Sequence, residues 1–300
     1  MTLRLQFLGT GGSQPIPLPT CDCRVCRAAA DGPPDARRGY SLFLPAVGAV
    51  IDTPEQAADS LVRWDVDRLD RCLLTHWHPD HAGGVRALSM RPTDREPDET
   101  FQEAKRRTAP TLVTTRAVYD RACETVGVLP YLVSEGFVET RFLDDEPATL
   151  SASDGGPPVT VRALPYRLDD DAPREATAFV FERAGVRLAV VADDARRFDV
   201  SRLPDGLDAL VFECGTFGHG PDGERLRSPR LETDDLSHEA VLERVAAVDA
   251  GRTFLSHLGH QYARTYADYR ALSAAYADDP DAPDGVAFPH DGQTVEIRQR

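Results

Sequence analysis

The segment Thr75–Gly84 reads THWHPDHAGG and packs His76, His78, Asp80 and His81 into six residues. In an extended segment residues i and i+2 share a face, so His76 and His78 can grip one ion together. Pro79 then fixes the backbone ahead of a helix, at whose start Asp80 and His81 can point to a second ion about one turn away. An aspartate at such a position can also cap the helix. Imidazole and carboxylate ligands suit zinc, manganese or iron. Two such ions roughly 3.5–4 Å apart can share a hydroxide and polarise a phosphoryl or carbonyl group. The plain alternative is a polar capping loop without metal. A lone histidine would fit that alternative; His-x-His-x-Asp-His after an apolar strand does not.

A second group is CDCRVC, with Cys21, Cys23 and Cys26. Three thiolates leave a tetrahedral structural zinc one ligand short. His260, three residues after His257 in SHLGHQ, can supply it. The bland alternative is three reduced thiols in a loop. The other cysteines, Cys72, Cys123 and Cys214, are isolated and read as small core residues. The N-terminus MTLRLQFLGTGG has no basic stretch followed by an apolar one, so a cytoplasmic location is expected and a disulfide framework is not.

These residues need elements to position them. Alternation in LRLQFL predicts a first strand, followed by a loop rich in Gly and Pro. SLFLPAVGAVID suggests a hairpin ending at Asp52, EQAADSLVRW a helix, DRCLLT a short buried strand and HAGGVRALSM another helix. The charged stretch 91–107 reads as a surface insertion whose KRR is a solvated helix end. Further strands are predicted at PTLVT, GFVETRFL, VTVRALPY, ATAFVFE, VRLAVVAD, LDALVFEC, RTFLSH and QTVEIR. LSHEAVLERVAAVD and TYADYRALSAAYA are the late helices. Most strands end in a loop carrying His, Asp or Glu, and no long linker or repeat divides the chain. The pattern predicts an α/β sandwich with one composite core, and one domain over residues 1–300.

Composition narrows the partners. The 300 residues carry 34 basic and 49 acidic side chains, a net charge of -15, and every basic residue except Lys105 is arginine. Such a surface resembles that of proteins from salt-loving organisms, and a high-GC genome would give a similar bias. It argues against general affinity for nucleic acid, which needs a basic footprint. No run approaches the ~20 apolar residues of a membrane helix.

The His-x-His-x-Asp-His spacing resembles the metallo-β-lactamase superfamily. The resemblance covers essentially the whole chain and implies an αββα sandwich with metals at one edge. LGTGG, Asp52, Asp193 in VVADD and His257 in FLSH arrive in that family's order. It implies that Asp193 bridges two metals and that His257 serves the second. The pairing of Cys-x-Cys-x2-Cys with a late His-x2-His-Gln is similar to the cyclic-phosphate phosphodiesterase branch of the carbon–phosphorus lyase pathway. There the second late histidine, here His260, closes a structural zinc site. Pyrroloquinoline-quinone biosynthesis protein B has a similar cysteine loop but lacks the intact His-x-His.

Two positions depart from the pattern. The third histidine on the first metal should follow VTVRALPY, where Leu168 stands, with Asp169, Asp170 and Asp171 as substitute oxygen ligands or a solvated acidic loop. The histidine after the acidic-Cys segment is replaced by Thr216, with His219 three residues later. The expected function is hydrolysis of a small (cyclic) phosphate ester with one or two Zn2+ or Mn2+ ions. Asp80 and Asp193 would orient the hydroxide, and His219 or His238 would protonate the leaving group. A thioester or lactone hydrolase, a non-catalytic metal carrier and a tRNA-processing nuclease are the alternatives. The sequence leaves open whether the chain forms a homodimer.

Overall fold

The computed structural model describes residues 2–144, 146–168, 175–226, 236–279, 282–283 and 285–300. Among these residues the strands form two seven-stranded sheets. The first runs, edge to edge, Thr294–Arg298, Thr2–Gly9, Ser41–Leu44, Ala49–Ile51, Arg71–Leu73, Thr111–Thr114 and Glu139–Phe142. The second runs Val286–Ala287, Thr253–Ser256, Ala209–Glu213, Val186–Val191, Ala176–Arg183, Val159–Tyr166 and Ala148–Leu150. Each sheet is part antiparallel and part parallel. Ala49–Ile51, Arg71–Leu73 and Thr111–Thr114 pair in parallel in the first, as do Val186–Val191, Ala209–Glu213 and Thr253–Ser256 in the second.

Strand side chains alternate between faces, and both faces here are apolar. Leu5, Phe7, Leu42 and Leu73 of the first sheet meet Phe181, Leu188, Val190, Val211 and Phe254 of the second in one buried cluster. The Phe7 and Phe254 rings lie 5.5 Å apart across the two sheets. The opposite face of the first sheet, with Val50, Cys72 and Leu112, is covered by Val118, Ala122 and Leu129 of the helices Arg116–Thr125 and Val128–Ser134. The outer face of the second, with Leu210 and Phe212, packs on Val241 and Val245 of the helix His238–Ala246 and Tyr269 of Tyr266–Asp278. This is the expected αββα sandwich.

Local differences have local causes. HAGGVRALSM is not one helix: Pro79–Ala82 makes a single α turn and Val85–Ser89 a separate 3-10 helix, split by Gly83 and Gly84. A side chain at Gly84 would overlap the Pro54 carbonyl. The stretch 91–107 contains the helix Phe101–Arg107, opened by a Thr100–Glu103 capping box and ended by the three basic residues. Cys72 and Cys214 are buried, and Cys123 is half-buried. No helix among the described residues is long and apolar enough to cross a membrane.

Candidate metal centre

In parallel sheets the loops leaving the carboxyl ends of the strands gather at one edge, where ligands bind. Asp52 leaves Ala49–Ile51, the Thr75–His81 segment follows Arg71–Leu73, Asp193 and Asp194 follow Val186–Val191, and His257 follows Thr253–Ser256. The two sheets are tied together there. Thr177 N donates to Thr75 O at 2.8 Å, and Leu258 N donates to Thr10 O at 2.9 Å.

The ligand-type side chains assemble into two overlapping groups. His76, His78, Asp193 and Asp194 place one ligand atom each within 4.8 Å of one another, as do Asp80, His81, Asp193 and His257. Asp193 belongs to both, and its Oδ2 alone reaches both, lying 3.9 Å from His81 Nε2 of the second group. Its Oδ1 lies 3.2 Å from His257 Nδ1, while its Oδ2 lies 4.0 Å from His76 Nε2. His257 Nε2 and His81 Nε2 lie 3.4 and 3.5 Å from Asp80 Oδ2. Tyr166 Oη donates to the Asp193 carbonyl at 2.6 Å and holds that turn in place.

Behind the ligands, Asp52 sets the tautomers. It is fully buried and accepts from Thr75 N at 2.8 Å, Thr75 Oγ1 at 2.7 Å and His81 Nδ1 at 2.8 Å. With its proton given to Asp52, Thr75 Oγ1 accepts from His76 Nδ1 at 3.0 Å. Both imidazoles are therefore held with a proton on Nδ1, which leaves Nε2 as the atom each can offer to a metal. His76 Nε2 is buried without a hydrogen-bond partner. A buried acceptor left unpaired costs ~1–3 kcal/mol, which a cation would offset. The donor set, imidazole nitrogens with carboxylate oxygens around that nitrogen, fits one or two divalent transition ions.

Protein charges alone strain this arrangement. Burial, with neighbouring His81 and His78, pushes His76 well below the ordinary histidine range. Burial also lowers His81, but the Asp52, Asp80 and Asp193 carboxylates outweigh it and raise this group to about 9. Burial and then the Asp193 and Asp194 charges push the Glu213 carboxyl well up.

The centre opens into a cavity of about 410 Å³. Its walls include Trp77, His78, Arg121, Leu168, Arg196, Glu213, Thr216, Leu236 and Tyr262. The Arg121 guanidinium lies over the Trp77 ring, 4.7 Å from its centroid.

A third group lies apart from these two. Cys21, Cys23, Cys26 and His260 bring their ligand atoms within 4.8 Å of one another. His260 Nε2 lies 3.5 Å from Cys21 Sγ and 3.1 Å from Cys23 Sγ. Burial raises the Cys23 thiol, but hydrogen bonds from the Cys26 amide and His260 outweigh it and bring this group down to about 6. Burial pushes Cys26 up to about 11. Thiolate is the form that binds metal, so Cys23 is already poised for it.

Some expectations fall elsewhere. His219 is exposed and does not line the cavity; its carbonyl accepts from Arg264 at 2.8 Å, and Thr216 takes the cavity wall instead. His238 is buried, with Nδ1 bonded to the Cys214 carbonyl and Nε2 to Tyr276 Oη, both at 2.6 Å. Burial lowers it to about 4, which suits a neutral ring stacked on Phe217 rather than an acid at the site. Leu168 is a cavity wall residue, and Asp169, Asp170 and Asp171 lie outside the described residues. The residue that sequence reasoning passed over is Asp194. Its signal was the unfilled histidine position together with a second carboxylate in VVADD.

A family profile described as the metallo-beta-lactamase superfamily matches residues 48–93, the stretch from Gly48 through the His-x-His-x-Asp-His segment. A curated relative, an octanoyltransferase of Porphyromonas gingivalis, is 35% identical over 88 residues. That match takes in 29% of this chain and only 18% of the relative's length. Among solved structures, a diphosphatase of the PhnP family superposes with a TM-score of 0.66 at 19% identity, covering 99% of this chain and 98% of that one. Zinc-bound PqqB of Methylobacterium extorquens gives 0.62 at 18% identity, covering 98% and 100%. Both share the fold.

Proposed function

For a chain with the fold and the signature of the metallo-β-lactamase superfamily, we propose a metal-dependent hydrolase acting on a small phosphodiester. The observation that carries this reading is the pair of ligand groups sharing Asp193 at the floor of a cavity whose walls hold Arg121 and Arg196. Divalent ions held there, Zn2+ or Mn2+, would supply Lewis acidity towards a phosphoryl oxygen and lower the pKa of the attacking water. His76, His78, Asp80, His81, Asp193 and His257 are the proposed ligands. Asp80 and Asp193, facing each other across His257, orient the attacking water. The Arg121 and Arg196 guanidinium groups bind the anionic ester, a task their planar fork of donors suits. Trp77 gives the organic part an apolar wall. The cavity takes a small molecule, and the chain's net charge of -15 disfavours long RNA. A PhnP-family diphosphatase with this fold is consistent with phosphate chemistry.

His219 is left out of the mechanism because it is exposed and is not among the cavity-wall residues. The Cys21, Cys23, Cys26 and His260 group is proposed to hold a structural zinc, whose tetrahedral three-sulfur, one-nitrogen set it matches.

The test is hydrolysis of bis(p-nitrophenyl) phosphate by purified protein with added Mn2+ or Zn2+, beside lactone and thioester panels. Turnover of the phosphodiester that disappears in Asp193→Ala is expected. Failure of every metal to restore it, or an Asp193→Ala variant equal to the wild type, refutes the reading. Preferential turnover of the carbonyl esters would move the protein to that class.

A further inference from the structure

We propose that Asp194 is a direct ligand of the first metal position, taking the place of a histidine, and that it biases that position towards Mn2+ over Zn2+. The inference rests on the metal centre proposed above and specifies its first half.

Asp194 is brought to the group by its backbone. It stands in the left-handed region, with φ 49 and ψ 37, at the head of the turn Ala195–Arg197. Its Oδ2 lies 3.3 Å from His78 Nδ1. Its ligand atom is within 4.8 Å of those of His76, His78 and Asp193. The same group holds an independent sign of a cation site, the buried and unpartnered His76 Nε2. Where the superfamily resemblance implies a histidine, Leu168 presents only an apolar side chain to the cavity. Its carbonyl is engaged by Arg197 Nη1 at 2.9 Å.

The exchange changes the chemistry. With Asp194 included, each position sees two imidazoles and two carboxylates, Asp193 being common to both. Three carboxylates then face two divalent ions, where a histidine in place of Asp194 would leave two. Carboxylate oxygens suit Mn2+ better than imidazole does, and imidazole suits Zn2+. The alternative role for Asp194 is an outer one, in which it only accepts a hydrogen bond from His78. Loss of such a partner typically costs ~10–100-fold in metal affinity.

The experiment is a Mn2+ titration followed by electron paramagnetic resonance. It uses protein stripped of active-site metal but retaining its cysteine-site zinc, checked by elemental analysis and circular dichroism. Wild type is expected to bind two Mn2+ per chain. Asp194→Ala is expected to lose the tighter or weaker of the two by more than the ~100-fold upper end of an outer-partner effect. Asp194→His is expected to regain the second ion and to yield it to Zn2+ at a lower zinc concentration than wild type does. Asp194→Ala retaining both ions within that range overturns the proposal, as does Asp194→His with unchanged Zn2+ preference. His78→Ala separates the two levels of inference. If it too keeps both ions, the metal-centre reading itself fails; if it loses one while Asp194→Ala keeps both, only the role of Asp194 falls.

Discussion

Asp52→Asn isolates the tautomer control because it changes hydrogen-bonding capacity almost without changing shape. In the native site Oδ1 accepts from the Thr75 amide, and Oδ2 accepts from both Thr75 Oγ1 and His81 Nδ1. Asparagine can keep its oxygen on the Thr75 amide only by placing an NH2 group where Oδ2 was. That group donates, so His81 Nδ1 must become an acceptor and carry its proton on Nε2, facing the metal. Thr75 Oγ1 must accept as well, and its freed hydroxyl proton then turns to His76 Nδ1, which moves that proton to Nε2 too. The flipped amide instead sets two donors against each other in a fully buried place, at ~1–3 kcal/mol. Either way the two ligands are presented wrongly. Losing the hydrogen-bond partner behind a metal-binding histidine costs ~10–100-fold in metal affinity, or ~1.4–2.7 kcal/mol per position. Calorimetric metal titration gives the affinities, and 15N shifts of the His76 and His81 rings report the tautomers. Metal affinities and ring shifts in Asp52→Asn equal to those of wild type would refute the relay through Thr75.

Two further predictions concern the same centre and its neighbour. His81 is raised from an ordinary 6.5 to about 9 in the protein without metal charge. A raised folded value stabilises fully below the unfolded value and fades as pH climbs through the folded one. Chelator-treated protein should therefore lose melting temperature from neutral pH up through about 9, and metal, which must displace that proton, should bind more tightly over the same rise. A melting temperature flat with pH would contradict it. At the cysteine group, Cys26→Ala should lose one equivalent of zinc by elemental analysis, keep the active-site ions, and melt at a lower temperature. Unchanged zinc content would remove the structural assignment.

Much of the site was legible because its signal is local. His76, His78, Asp80 and His81 lie within one strand-to-helix turn, and an apolar strand before them announces the geometry. Cys21, Cys23 and Cys26 are likewise close in sequence. Asp193 and His257 were legible only through the superfamily resemblance, since each follows a buried strand of the second sheet. Asp194 had only an indirect signal, the gap at Leu168, and was passed over. In a chain with 49 acidic residues a second aspartate resembles surface, and its left-handed backbone and its approach to His78 show only in three dimensions. Local spacing also gave His219 more weight than it bears, because its distance from Thr216 says nothing about which way the loop faces. In the fold, the helices Arg116–Thr125 and Val128–Ser134 were not anticipated. Val118 and Ala122 are the only buried positions of the first, too short a stripe to stand out.

All three ligand groups share one placement. Cys21, Cys23 and Cys26 come from the loop leaving the first sheet, and His260 from the second. His76 and His78 come from the first sheet, Asp193 and Asp194 from the second. Asp80 and His81 again meet Asp193 and His257 across the seam. A metal in any of them would therefore bridge the two halves of the sandwich. The halves do not depend on it for cohesion, because the apolar layer from Leu5 and Phe7 to Val190 and Phe254 already joins them. What the apolar layer cannot do is hold side chains in uncommon backbone states at its rim. Asp52, Asp194 and His257 all have positive φ, at 61, 49 and 61. Such conformations cost ~1–3 kcal/mol each and persist where the surroundings over-determine them. Buried strands on one side and metal–ligand bonds on the other supply that over-determination. The free energy of metal binding thus goes into holding a strained, exact placement of ligands at the seam, and removing metal should loosen the rim before it opens the core.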